Sequence, residues 1–174
     1  MKTIIQDNFF DNPDTIRNFA LSLDYSPRKP NQFFEGVRSK PLHLLDKNLY
    51  NDICSKIIKI YYDYKNYEFE ASVFFHKTRE QDKKDTQWTN DKIHKDKAIT
   101  AGIIYLTPNA PVNCGTQTYT KVKNQFVPDI IMGNKYNRLI IYNAQEYHSA
   151  SNFFGENNQS RMCVLFFLEK IKKL

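Results

Sequence analysis

Apolar side chains recur at helical spacing in the first third of the chain and at strand spacing from its middle onward. Residues 2–6 read as a short strand. Asp11-Asn12-Pro13-Asp14 then reads as a helix start. Asp11 or Asn12 can accept from the free backbone amides, Pro13 suits the first turn, and Asp14 complements the positive end of the helix dipole. Ile16, Phe19, Ala20 and Leu23 fall three and four residues apart, so this helix is expected to reach residue 23 and to lay one side on a core. The following stretch, SPRKPNQFFEGVRSKP, carries three prolines and a glycine, which excludes a regular helix and predicts a long loop. A second helix is expected over 46–61, with an acidic cap and an apolar side made of Leu49, Ile53, Ile57, Ile58 and Ile60.

From residue 67 the period changes to two. Phe69, Ala71, Val73 and Phe75 alternate with Glu68, Glu70, Ser72 and Phe74, the pattern of a strand with one apolar face. Further strands are expected at 98–107, 115–120, 136–143 and 161–171, separated by turn formers such as Pro108-Asn109, Gly133-Asn134 and residues 155–158. Helices first and strands afterwards argue for an α+β protein and against a parallel doubly wound sheet. Strands at this spacing suit a sandwich or barrel-like jelly roll, with the N-terminal helices packed on one sheet. A chain of 174 residues that is 41% hydrophobic can bury one sizeable core, so one domain over residues 1–174 is expected.

Charge and cysteine content change this picture little. The net charge of +6 could mark a nucleic-acid surface, but Lys83-Lys84, Lys92, Lys95 and Lys97 alternate with Asp82, Asp85, Asp91 and Asp96. Nucleic acid is therefore possible as a partner but not indicated. No apolar run approaches the roughly 18 residues of a membrane span. The N-terminal residues turn acidic and polar before any signal-like apolar segment develops, so neither membrane nor export is expected. Cys54, Cys114 and Cys163 are odd in number and widely spaced, which suits a reducing, cytoplasm-like compartment.

The candidate chemistry starts at Ile93-His94-Lys95-Asp96. In extended chain, residues two apart share a face, so His94 and Asp96 can converge on one metal ion. His148, just after the expected strand 136–143, is the third candidate, because a jelly roll makes neighbours of strands distant in sequence. Two imidazoles and one carboxylate on one face of an octahedral ion leave three positions open, the arrangement of non-haem iron(II) sites that activate oxygen. His43 and His76 lack a paired ligand and read as ordinary surface or hydrogen-bonded histidines. Arg161 opens an apolar strand, where its planar guanidinium suits a buried carboxylate; that partner is either a ligand or an internal acidic side chain.

The order His94-x-Asp96, His148, Arg161 resembles that of the iron(II) and 2-oxoglutarate-dependent dioxygenases, and the flanking text resembles their small prolyl-hydroxylase-like members of bacteriophage type. The matching stretches are FFDNPDTIRNFALSLDY, GVRSKPLH, AGIIYLTPNAPVNCGTQTY, NRLIIYNAQEYHSASNFFG and RMCVLFFL, spread over almost the whole chain. The resemblance implies a double-stranded β-helix, a cupin-like jelly roll. It implies that His94, Asp96 and His148 bind Fe(II), that Arg161 binds the distal carboxylate of 2-oxoglutarate, and that Tyr105 helps to hold the same carboxylate. It further implies O2 as oxidant, hydroxylation of a C–H bond, and release of succinate and CO2, in the host cytoplasm if the chain is phage-encoded.

The resemblance does not name the primary substrate, which could be a small molecule, a peptide or a nucleotide. Candidate substrate contacts lie in the early loop, at Phe33, Phe34, Gly36, Val37 and Arg38, and at Trp88 ahead of the metal motif. Arg38 can hold an anionic group or tie the loop down, and Trp88 can equally be core. The charged segment 77–92 is a candidate lid. Ser149 and the Cys114-Gly115-Thr116 turn are not expected to be catalytic; Gly115 answers a backbone requirement and Cys114 is buried. Two other classes share these features. One is a cupin-type metal protein that does not use 2-oxoglutarate and has no need of Arg161. The other is a non-catalytic virion-associated or nucleic-acid-binding module.

Overall fold

The computed structural model describes residues 2–27, 34–62, 65–85 and 92–174, with the backbone alone for 83–85. Strand β1 (Ile4–Gln6) leads into helix α1 (Pro13–Leu21), which is capped by Asn12 through a 3.3 Å bond from the Thr15 amide to its side chain. The loop after α1 carries two short strands, β2 (Ser26–Pro27) and β3 (Val37–Arg38), paired with each other. A four-residue helix α2 (Leu42–Leu45) precedes α3 (Lys47–Tyr62), where Asp46 accepts from the Leu49 amide at 3.0 Å. Strand β4 (Tyr67–Thr78) follows, then a short helix α4 (Glu80–Asp85). The remaining strands are β5 (Thr100–Tyr105), β6 (Thr116–Val122), β7 (Gln125–Met132), β8 (Leu139–Asn143), β9 (Tyr147–Ala150) and β10 (Arg161–Lys173).

These strands form two antiparallel sheets. The larger has the order β1-β8-β5-β10-β4-β3-β2 and the smaller the order β7-β6-β9. The long strand β10 is central and, after Arg161, apolar from Met162 to Leu168 because it is buried on both faces. Met162, Val164, Phe166 and Leu168 join Val73 and Phe75 of β4 and Ile53, Ile57 and Ile58 of α3 in one core between the sheet and the helices. On the other face Cys163 and Leu165 join Ile103, Tyr105, Ile140 and Tyr142 in a second core between the sheets. The helices thus lie on the outer face of the large sheet, as expected, and leave its inner face to the site. Ile57 is 1% exposed, so Ile57→Ala should lower the unfolding free energy by about 2–5 kcal/mol, read as a fall in urea midpoint at constant m-value. A loss below about 0.5 kcal/mol would put this side chain outside the cooperative core.

Three expectations are corrected. The strands β7 and β9 were not foreseen. His94 and Asp96 do not lie in a regular strand: His94 forms an isolated bridge with His148, and the Asp96 amide donates to the Ala144 carbonyl at 2.9 Å. The segment 77–92 is not one loop, since Lys77 and Thr78 are the end of β4, paired with Met162 and Arg161, and α4 follows at once. Trp88 and Phe33 lie outside the described residues. Among the described residues, no helix is long and apolar enough to cross a membrane.

Candidate metal centre

His94 and His148 face each other across a two-way backbone pairing, with His94 N donating to His148 O at 3.1 Å and His148 N to His94 O at 2.9 Å. The Gln145 amide donates to the carbonyls of Asp96 at 2.6 Å and Ala98 at 2.9 Å, which ties the Asp96 segment to the turn before β9. The consequence is a cluster of His94, Asp96 and His148 whose ligand atoms all lie within 4.8 Å of one another. Asp96 Oδ2 is 3.1 Å from His148 Nε2 and Oδ1 is 3.6 Å from His94 Nε2. Metal bonds of about 2.1 Å at right angles put neighbouring donors about 3 Å apart, so this set fits one ion.

The protonation of both rings follows from their outer partners. His94 Nδ1 lies 2.8 Å from the Lys92 carbonyl, and His148 Nδ1 lies 2.8 Å from the Glu146 carbonyl. A carbonyl oxygen can only accept, so each Nδ1 carries a proton, and each Nε2 is the nitrogen that faces Asp96, donating to it in the metal-free cluster and left to ligate once an ion displaces that proton. Burial works to raise the Asp96 carboxyl, but hydrogen bonds from His148 and His94 outweigh it and hold the group well below the usual carboxylate range. The hydrogen bond to Asp96 raises His94 in turn, against its burial. The His148 side chain is 5% exposed and that of His94 49%, so His148 forms the floor of the cluster and His94 its open lip.

The cluster opens on a cavity of about 220 Å³ between the two sheets. Arg161, at the start of β10, is on its wall and 3% exposed. Its Nε donates to the Cys114 carbonyl at 3.0 Å, its Nη2 to the Gly115 carbonyl at 3.3 Å, and its Nη1 lies 3.8 Å from Cys163 Sγ. Among the described residues no carboxylate pairs with it, so the internal salt bridge that the sequence left open is not found there. The Gly115 backbone can approach only because it lacks a side chain: a Cβ there would lie 1.9 Å from the Met132 carbonyl oxygen. Tyr105 is fully buried beneath Arg161, with the guanidinium 5.3 Å from its ring centre and its hydroxyl 2.8 Å from Thr116 Oγ1. Thr116 is the side chain that reaches the cavity at this point.

Arg38 also lines the cavity, beside Phe34 and His76. His76 is paired across the strands with both Arg38 and Cys163, and its Nε2 is 2.6 Å from the Glu35 carbonyl. Burial, with Arg38 and Arg161 nearby, pushes its pKa down to about 3, so it is a neutral wall residue and no ligand. His43 packs edge-on against Tyr50, away from the cluster. The roles of Gln145, Lys92, Glu146 and His76 were not legible in sequence: Lys92 and Glu146 act through their own backbone carbonyls, which leave no residue signature, and the side chains of Gln145 and His76 meet carbonyls that only the fold brings near.

No family model matches this sequence, and no curated protein matches it. The fold does match solved structures. An oxidoreductase of the 2OG-Fe(II) oxygenase family from Burkholderia pseudomallei superposes with a TM-score of 0.62 at 12% identity, over 96% of this chain and 84% of that one. HygX from Streptomyces hygroscopicus, solved with nickel, 2-oxoglutarate and hygromycin B bound, gives 0.61 at 10% identity, over 96% and 82%. A prolyl hydroxylase from Trichoplax adhaerens, in complex with a hypoxia inducible factor peptide fragment, gives 0.50 at 13% identity, over 96% and 83%. The fold is therefore the jelly roll of the 2-oxoglutarate and iron(II) oxygenases, and a His-Asp-His cluster that could bind a metal lies within it.

Proposed function

We propose that this protein is an Fe(II)- and 2-oxoglutarate-dependent dioxygenase that hydroxylates a C–H bond, with a site of the prolyl-hydroxylase-like kind. Arg161 is the observation that carries the reading. It is a buried guanidinium on the same cavity as the triad, and among the described residues it has carbonyl, sulfur and aromatic neighbours but no carboxylate. An uncompensated buried cation is costly, so a site that keeps one is built for an anion. The distal carboxylate of 2-oxoglutarate would supply that anion, held by Arg161 on the same cavity as His94, Asp96 and His148.

When bound, Fe(II) with 2-oxoglutarate and O2 places one oxygen atom in the substrate as hydroxyl and the other in succinate, with loss of CO2. The protein itself binds and orients. His94, Asp96 and His148 hold the ion on one side, and the Lys92 and Glu146 carbonyls keep both imidazoles in the ligating tautomer. Arg161 fixes the length and direction of the co-substrate, with the Thr116 and Tyr105 hydroxyls beside it. Leu165, Ile103 and Phe153 line the cavity and keep water away from the reacting centre. No side chain has to serve as nucleophile or general base. Ser149 fits this, with its hydroxyl 3.1 Å from that of Tyr119 and not engaged in a catalytic pair.

A thermal-shift titration under anaerobic conditions tests the reading. With Mn(II) present, 2-oxoglutarate at about a hundred times its Kd should add about 2.7 kcal/mol, or about 5–10 °C in Tm. In air with Fe(II), the protein should then convert 2-oxoglutarate to succinate in slow turnover without added substrate. A metal-dependent shift with no further response to 2-oxoglutarate would replace this reading with a cupin-type protein that does not use the co-substrate.

A further inference from the structure

Arg161 is not the only buried cation on this cavity. Arg38 reaches it from β3, on the same face as His76, with which it is paired. The placement is built in by Gly36, which has φ +74° and whose Cβ would lie 2.1 Å from the Lys77 carbonyl oxygen. That close approach seats β3 against β4. The Arg38 guanidinium lies 3.9 Å from the Phe34 ring centre, with Phe74 at 5.6 Å and Phe167 at 5.7 Å. Rings attract the charge but accept no regular hydrogen bond. Its buried Nε has no hydrogen-bond partner, and among the described residues no carboxylate pairs with its side chain. Burial lowers its pKa to about 10, against a smaller opposing pull from Cys163 and Asp96.

Charge counting shows what is left over. On the oxygenase reading, on which this inference rests, the Asp96 carboxylate and the two carboxylates of 2-oxoglutarate answer a divalent metal and one guanidinium. The second guanidinium remains uncompensated. The two arginines also enter the cavity from different places, because β4 stands between β3 and β10 and Arg38 is level with Cys163, two residues along β10 from Arg161. His76 lies between Arg38 and Cys163, and Thr78 is the β4 residue opposite Arg161. The potential ion-pair partner closest in sequence, Glu35, is already committed to Lys92.

We infer that the primary substrate is an organic anion whose carboxylate or phosphate docks on Arg38, with an apolar or aromatic body lying against Phe34 and Phe167 and pointing its C–H bond toward the triad. The planar fork of the guanidinium suits either oxyanion, and the aromatic wall selects against a bare inorganic ion. Arg38 is thereby a binding residue for the substrate and Arg161 for the co-substrate.

The test uses phenylacetate, phenyl phosphate and the neutral phenylacetamide, each titrated calorimetrically into protein loaded with Mn(II) and 2-oxoglutarate under anaerobic conditions. Binding of 2-oxoglutarate to the wild type is read first, and its absence overturns the oxygenase reading itself. Given that binding, at least one of the two anions should bind about tenfold or more tightly than the amide, and the tighter of the two identifies the oxyanion. Arg38→Met should weaken that anion about tenfold or more while leaving 2-oxoglutarate binding within about twofold, and Arg38→Lys should restore part of the loss. Retained metal and 2-oxoglutarate binding shows that the Arg38→Met protein is folded. The inference is overturned if neither anion is preferred over the amide, if Arg38→Met leaves anion binding unchanged, or if Arg38→Met instead removes 2-oxoglutarate binding.

Discussion

Asp96→Ala should abolish binding of Fe(II) or Mn(II) at calorimetric concentrations, the larger of the two effects expected on this site. Asp96 is the one carboxylate of the cluster and sits between both imidazoles, at 3.1 Å and 3.6 Å from their Nε2 atoms. Its removal takes away a ligand, its negative charge and the group that orients both rings. Loss of an outer hydrogen-bond partner of a metal ligand typically costs about 10–100-fold in affinity, and loss of the ligand itself should exceed that. Gln145→Ala supplies the comparison. The Gln145 side chain donates to the Asp96 and Ala98 carbonyls and touches no ligand atom, so its loss should fall within the outer-partner range. Lys95→Ala, adjacent in sequence but stacked on the Tyr147 ring, should leave metal affinity unchanged. Circular dichroism on the metal-free variants separates loss of the site from loss of the fold. Wild-type affinity in Asp96→Ala would refute the triad.

The parts of this structure that were legible in the sequence are those fixed by local chemistry. The cap Asn12 with Pro13 behind it, the cap Asp46 and the period-two face Phe69, Ala71, Val73, Phe75 each carry their own signal, and each was found where expected. What was missed depends on tertiary context. Pro128 argues against a strand at Gln125–Met132, yet β7 is the edge of the small sheet, where a missing amide donor is tolerated. Strand β9 is only four residues long and exists because β6 and His94 pair with it. The prolines of the early loop correctly exclude a helix there but conceal the two-residue strand that carries Arg38.

The site divides in the same way. His94 and Asp96 share a face because extended chain alternates, whether or not it is a regular strand, so that inference survived the correction of its backbone. The proximity of His148 required only the jelly roll. The carbonyls of Lys92 and Glu146, which set the ring tautomers, leave no trace in residue identity. The adjacency of Arg38 and His76 depends on a register created by the left-handed turn at Gly36, and a lone glycine in a loop does not announce which strand it lets its neighbours approach.

Arg161→Met should separate co-substrate binding from metal binding. Removing one member of a buried, hydrogen-bonded charge pair costs about 2–5 kcal/mol, which at about 1.4 kcal/mol per tenfold is a loss of about 30-fold to several thousand-fold in 2-oxoglutarate affinity. Metal affinity should be unchanged, since Arg161 bonds to the Cys114 and Gly115 carbonyls and to none of the three ligands. The variant has a further signature that a purely structural arginine would not give. Its loss leaves two carbonyl oxygens short of a donor, at about 1 kcal/mol each, but it also removes a buried cation with no carboxylate partner among the described residues, a gain of the opposite sign. The Tm of the metal-loaded protein without 2-oxoglutarate should therefore shift little, while the rise that 2-oxoglutarate produces in the wild type disappears. Arg161→Lys should fall between the two, because an ammonium keeps the charge but cannot present the parallel pair of N–H bonds that a carboxylate takes from a guanidinium. A large fall in the ligand-free Tm, with 2-oxoglutarate binding intact at the remaining fold, would make Arg161 a strut of the β10 terminus and leave the co-substrate without its anchor.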